Sequence, residues 1–193
     1  MKLSKTQFRE ISLTQIKQTP KHNKRYRDAL VQKRLTESLE AFIGDKRVKI
    51  LFYYPLAFEA NLLKTLKKLR QSHEIYIPFM EAKSFKMVPF RLPLKKKKFG
   101  IFEAENTYRK IKKIDIAIVP AIGVDGNLQR VGFGKGMYDR FFAGLKQRPF
   151  TIFIQPKLCY TQQHLCDSHD VTCDLLISPK RVIKKRAMIN NRN

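Results

Sequence analysis

The chain has 193 residues, 43% of them hydrophobic, and 40 Lys and Arg against 16 Asp and Glu give it a formal net charge of +24. That size and apolar content suffice for one well-buried core, so a single domain spanning 1–193 is expected. The chain shows no apolar run near the roughly 20 residues that cross a bilayer, no apolar signal core in MKLSKTQFRE, and three cysteines that cannot all pair; together these exclude a helical membrane protein and a disulfide scaffold and lead to the expectation of a soluble cytoplasmic one.

Residues 5–18 carry Phe8, Ile11 and Ile16 at helical spacing, and Pro20 ends the segment. A second helix over 22–43 is predicted to turn Tyr26, Leu30, Leu35, Leu39 and Phe42 inward. The near-continuous apolar run 48–54, stopped by Pro55, reads as a buried strand. A third helix is predicted over 58–71, with Leu62, Leu63, Leu66 and Leu69 inward. Strands follow at 75–79 and 85–90, the latter at a sheet edge because Pro89 cannot donate to a ladder. Lys95 to Lys98 form a charge run expected in an exposed loop. A strand at 114–119, a helix at 136–147 and strands at 150–155 and 174–178 complete the pattern, and 180–193 form a basic, partly mobile tail. Strands alternating with helices predict an α/β fold of three layers, its mainly parallel sheet covered by helices on both faces.

Between the strand at 114–119 and the helix at 136–147 lies VPAIGVDGNLQRVGFGKGMYDRFF, in which Gly132, Gly134 and Gly136 alternate with Phe133 and Lys135. A glycine-rich loop running into a helix can hold phosphate: backbone N–H groups come close and a lysine adds full charge. The spacing is neither the Walker pattern nor GxGxxG. Taken alone it is equally a tight turn with glycines in the left-handed region.

The run Arg130-Val-Gly-Phe-Gly-Lys-Gly-Met-Tyr-Asp139-Arg140 resembles the signature of the 5-formyltetrahydrofolate cyclo-ligase (5,10-methenyltetrahydrofolate synthetase) family, R-x-G-x-G-x-G-Y-Y-D-R. Further matches keep the family's order: Lys5 and Arg9, Glu59, Met87, then Phe99-Gly100-Ile101-Phe-Glu103, and finally His169-Asp170 with Asp174. Met137 stands where the family has a tyrosine, and Ala104 where it has a proline. The resemblance implies the three-layer NagB/RpiA/CoA-transferase-like fold. It also implies ATP- and Mg²⁺-dependent closure of 5-formyltetrahydrofolate to 5,10-methenyltetrahydrofolate, with release of ADP and phosphate.

On that resemblance Lys135 and Arg130 carry the catalysis, neutralising charge on the transferring phosphoryl group. Lys5, Arg9, Arg130, Gly132, Gly134, Lys135, Gly136 and Tyr138 bind ATP, with Lys5 and Arg9 on one helix face. Glu59 accepts from the pterin edge, Tyr54, Phe133 and Met137 complete the folate contacts, and Asp139 and Asp170 hold Mg²⁺. Structural alternatives stand beside these roles. Lys5 and Arg9 could merely coat a helix, Asp139 could balance a helix start, Asp170 could be a turn residue, and Glu59 could sit near the start of the third helix. Lys95–Lys98 could meet the glutamate tail of a polyglutamylated substrate, and a monomer is expected.

Two other readings remain. The charge of +24 fits a nucleic-acid-binding protein gripping phosphate backbone, although aromatics are not interleaved with the basic runs and no standard nucleic-acid motif is present. Cys159, His164, Cys166, His169 and Cys173 fall close enough in sequence for zinc, but without paired CxxC spacing.

Overall fold

A computed structural model of the protein describes residues 3–96, 102, 103, 111 and 113–185. In chain order the elements are α1 (Lys5–Lys17), α2 (Lys24–Ile43), β1 (Lys49–Phe52), α3 (Leu63–Leu69), β2 (Glu74–Glu81), β3 (Ser84–Pro89), β4 (Lys95–Lys96), β5 (Phe102–Glu103), β6 (Ile116–Pro120), β7 (Gly123–Val124), β8 (Arg130–Val131), α4 (Met137–Ala143), β9 (Phe150–Ile154), β10 (Leu175–Ile177) and β11 (Val182–Lys184). Seven strands form the main sheet in the order β11-β10-β9-β6-β1-β2-β3. The pairs from β10 through β9, β6 and β1 to β2 are parallel, while β3 and β11 close the two edges antiparallel. The expected mainly parallel α/β sheet is present, with Pro89 on the edge strand β3 as predicted.

Alternate residues of each central strand feed opposite cores. Ile50, Phe52, Ile116, Ile118, Ile152 and Ile154 meet Val31, Leu35, Leu39 and Ile43 of α2, Leu66 of α3 and Leu62 just before it. Leu51, Ala117, Val119 and Phe153 point the other way, toward Met137, Tyr138, Phe141 and Phe142 of α4. Helices therefore cover both faces, which explains why these strands read as continuous apolar runs rather than as alternations.

Several elements depart from their predicted limits and faces. On α1 the buried positions are Phe8, Ser12 and Ile16, and Ile11 is exposed. On α2 they are Asp28, Val31, Leu35, Leu39 and Ile43, a stripe spaced three and four apart. Tyr26 and Phe42 lie outside it and are exposed, although Phe42 stacks on Phe150 with centroids 3.9 Å apart. The third helix starts at Leu63, not 58, because tertiary bonds hold the preceding residues in a turn. Tyr53 Oη donates to the Ala60 carbonyl at 2.8 Å, and Asn61 N donates to Asp28 Oδ1 at 3.2 Å. α4 spans Met137–Ala143, shorter than expected, because Gly136 is left-handed and Gly144 caps the end. Within the tail expected over 180–193, Val182–Lys184 form β11 against β10. Lys95–Lys96 pair with Phe102–Glu103 rather than forming a loop. Lys97 to Ile101, Ala104 and residues 186–193 lie outside the described residues.

Candidate active site

The glycine loop follows β8 and is shaped by two glycines in the left-handed region, Gly134 at φ 88° and Gly136 at φ 59°. At Gly132 the reason for glycine is proximity, since a Cβ there would run into the Arg130 guanidinium. Arg140 fastens the far end of the loop, donating from Nε to the Lys83 carbonyl at 2.6 Å and from Nη2 to the carbonyl of Lys135. Lys135 itself is exposed at the crest, and Phe133 is partly exposed.

Arg130 is 8% exposed. Its Nε donates to the Pro120 carbonyl at 2.9 Å and its guanidinium lies 4.6 Å from the Tyr138 ring centroid. Burial lowers its pKa from the usual guanidinium range, opposed by the charges of Tyr138, Asp139, Glu59 and Asp170. Burial likewise raises the Tyr138 phenol, so it stays a neutral donor.

Glu59 is 8% exposed, in the turn between β1 and α3. It does not sit near a helix start; its Oε2 accepts from Leu56 N at 2.9 Å, and its carbonyl accepts from Lys24 Nζ at 2.8 Å. Burial pushes its carboxyl up to about 7, against the Leu56 hydrogen bond and the charges of Arg130 and Lys24. Glu59 lines a cleft with Ile16, Phe58, Pro120, Ile122 and Phe133, at the C-terminal ends of β1, β6 and β9. Phe58 and Phe133 meet edge to face across it, with centroids 5.4 Å apart. Clefts at this edge of a parallel sheet are the usual ligand position in open α/β folds.

α1 reaches the loop from the other side. Ser4 caps it with a reciprocal capping box, Gln7 N to Ser4 Oγ at 3.1 Å and Ser4 N to Gln7 Oε1 at 2.9 Å. Arg9 Nε then donates to the Gly132 carbonyl at 2.8 Å. Lys5 Nζ pairs with Asp170 and lies 3.4 Å from Asp167 Oδ2. Burial alone would lower the Lys5 pKa, but the Asp170 hydrogen bond and charge outweigh it and raise it.

The structure thus gathers Lys5, Arg9, Arg130, Gly132, Gly134, Tyr138 and Asp170 around one loop. It does not bring every expected residue to the cleft. Tyr54 is half-buried and packs on the core beneath α2 and α3, and its neighbour Tyr53 is the one holding the Glu59 turn. Met137 is half-buried against the α4-side core. Asp139 Oδ1 accepts from Val171 N at 3.2 Å in the first turn of α4. Among the described residues, the ligand atoms that cluster within 4.8 Å belong to Asp167, His169 and Asp170, without Asp139. Hard carboxylate oxygens suit Mg²⁺. Because Asp170 Oδ2 already accepts from Asp167 N at 2.8 Å and from Lys5, its other oxygen is the better donor to a cation. The Cys/His segment does not converge on a zinc site among the described residues. Cys159 lies under α1, Cys173 is in the core, and Cys166 Sγ faces the Arg130 carbonyl at 3.6 Å. Burial raises all three thiols.

A parallel sheet whose C-terminal edge carries a glycine loop, a buried Arg130 and a Glu59-lined cleft defines an enzyme centre built on loops. Residues 1–179 match the model of the 5-formyltetrahydrofolate cyclo-ligase family, and the chain belongs to that family. It is 27% identical over 163 residues to the 5-formyltetrahydrofolate cyclo-ligase of Mycoplasma pneumoniae, covering 79% of this chain and 95% of that one. A probable 5-formyltetrahydrofolate cyclo-ligase of Schizosaccharomyces pombe is 29% identical over 102 residues, 45% of this chain and 50% of that one. Among solved structures, the Aquifex aeolicus 5,10-methenyltetrahydrofolate synthetase superposes with a TM-score of 0.78 at 23% identity over 98% of both chains. The M. pneumoniae 5,10-methenyltetrahydrofolate synthetase gives 0.73 at 20% identity, over 92% of this chain and 99% of that one. These two likenesses establish the shared fold.

Proposed function

We propose that this chain, acting as one catalytic domain, closes 5-formyltetrahydrofolate to 5,10-methenyltetrahydrofolate at the expense of ATP. The observation that carries the reading is that the buried Glu59 and Phe133 of the glycine loop line one cleft, with the Arg130 charge close enough to act on the Glu59 carboxyl. An apolar slot ending in a carboxyl suits a pterin with an amino-pyrimidine edge. The loop and its cations suit a triphosphate.

A formamide oxygen leaves poorly because departure as hydroxide breaks amide resonance. Transfer of the γ-phosphoryl group of ATP to that oxygen releases ADP and converts the oxygen into a phosphate ester. The neighbouring nitrogen then attacks the formyl carbon and gives up its proton; the C–O bond breaks and phosphate departs. Such a centre works by positioning and by neutralising charge. Lys135 and Arg130 supply positive charge beside the transferring oxygens, and the Gly132–Gly136 amides with Lys5 and Arg9 hold the polyphosphate. Phe133 walls the reduced pterin while Glu59 orients it. Asp170, with Asp167 and His169 beside it, is the carboxylate that would hold Mg²⁺, and the ion would supply charge neutralisation at the phosphates. The reaction is that of a cytoplasmic monomer acting on reduced folates, polyglutamylated forms included.

Incubation with 5-formyltetrahydrofolate, ATP and Mg²⁺ should build the near-ultraviolet absorbance of the methenyl product. Replacing Lys135 by Ala should reduce the rate by about 10² to 10³, the loss typical of removing one transition-state stabiliser. A folded protein that yields no methenyl absorbance at saturating ATP would refute the proposal.

A further inference from the structure

Asp125 is a carboxylate with no solvent exposure, in the turn between β7 and β8, and has no role in the site described above. A buried carboxylate is costly unless its oxygens are fully engaged. Here Oδ1 accepts from Asn127 N at 3.0 Å and Gln129 N at 2.9 Å, while Oδ2 accepts from Leu165 N and Cys166 N, both at 3.0 Å. One oxygen holds the turn that leads into the glycine loop; the other holds the segment that leads to Asp167 and Asp170.

Three further features show how tightly the two segments are bound. A Cβ on Gly126 would run into the Gln162 carbonyl, so the turn lies directly on that backbone. Leu128 keeps a left-handed φ of 58°, a cost of order 1 kcal/mol that persists only where surroundings over-determine it. Gln129 spans the gap, its Nε2 donating to the Asp167 carbonyl at 2.6 Å and the Asp170 carbonyl at 3.3 Å. The next residue, Arg130, donates its N–H to Val171 O at 2.8 Å.

We propose that Asp125 is a positioning residue for this centre, acting through Gln129 to place Asp170 and the Lys5 ammonium paired with it. The chain of contacts is Asp125 to the Gln129 amide, Gln129 Nε2 to the Asp170 backbone, and the Asp170 carboxylate to Lys5. The inference rests on the reading that Lys5 meets the nucleotide.

The test is a double-mutant cycle read by calorimetric binding of a non-hydrolysable ATP analogue with Mg²⁺, alongside KM for ATP and for folate. Asp125→Asn should weaken nucleotide binding about tenfold while the folate KM moves less than about twofold, a coupling within the usual range for contacting residues. Gln129→Met, near-isosteric and retaining the Asp125 network at the backbone, should do the same and carries the test if Asp125→Asn does not fold. In a Lys5→Met background, Gln129→Met should add less than about twofold. Full multiplication of the two effects, or a folded Gln129→Met that binds nucleotide like the parent while Lys5→Met is weakened, overturns the inference alone. A Lys5→Met protein with parental nucleotide affinity overturns the nucleotide reading of Lys5 and the inference with it.

Discussion

In its proposed role, Glu59 couples substrate recognition to stability through one buried group. Its carboxyl is raised from the ordinary value of 4.5 to about 7 because desolvation outweighs the Leu56 hydrogen bond and the charges of Arg130 and Lys24. A carboxyl raised on folding contributes stability that is fully present below pH 4.5 and lost as pH climbs through about 7. Glu59→Gln removes that titration. Its melting temperature should rise relative to the parent as pH goes from about 5 to 8, while turnover of 5-formyltetrahydrofolate falls by about 10², because the amide offers one acceptor oxygen and no charge where the carboxylate offers two. A melting difference independent of pH would show that Glu59 does not titrate in this range. Gly132→Ala tests the neighbouring residue: a methyl there displaces the Arg130 guanidinium from Tyr138, so kcat should drop about tenfold or more with little change in melting. Arg130, Gly132 and Tyr138 were legible because one contiguous motif carries them. Asp125, Gln129 and Tyr53 were not, because their partners, Leu165, Asp167 and Ala60 among them, are fixed only by the fold.

At the scale of elements, α1 acts as a strut beneath the loop. Phe8 is buried against β7, where a Cβ on Gly123 would lie 2.6 Å from its ring. Ile16 packs with Ile122 and Cys159, and Arg9 holds the Gly132 carbonyl. Phe8→Ala should cost about 3 kcal/mol, the low end for a buried Phe, measured by denaturant unfolding. It should also weaken ATP binding, because Lys5 and Arg9 ride on the same helix. Parental ATP affinity in a folded Phe8→Ala protein would detach α1 from the nucleotide. The central strands were legible as apolar runs because both of their faces are buried. Helix faces were less so. Tyr26 and Phe42 share apolar character with the α2 stripe but lie at its margins, and Asp28, which belongs to the stripe, is polar because it must receive Asn61 N and Lys24. The edge strand β11 escaped notice because three residues of mixed burial carry no periodicity.

For the whole molecule the dominant quantity is charge, +24 over 193 residues. Among the described residues, Lys5, Lys24, Lys33, Lys86, Lys113 and Arg148 make ion pairs to side-chain carboxylates. With 40 cationic side chains against 16 acidic ones, pairing cannot neutralise the surface. The exposed face of α3 presents Lys64, Lys67 and Lys68 at three- and four-residue spacing, all one sign. A field of that sign draws in ATP and folate carboxylates, raising encounter rates without altering the chemical step. Salt should separate the two contributions, since screening shortens the reach of the field from about 30 Å at 0.01 M to about 8 Å at 0.15 M ionic strength. Raising KCl across that range should lower kcat/KM for ATP several-fold and leave kcat within about twofold. The fall should steepen with each glutamate added to the folate tail. Under the proposed function, phosphate contacts from Arg130 and the Gly132–Gly136 amides would be short-range and persist at high salt, and a residual rate well above background should remain. A salt-independent kcat/KM would mean that the surplus charge contributes nothing to capture. A kcat that collapsed with salt would instead place the sensitive charges inside the reacting centre, at Lys135 rather than across the surface.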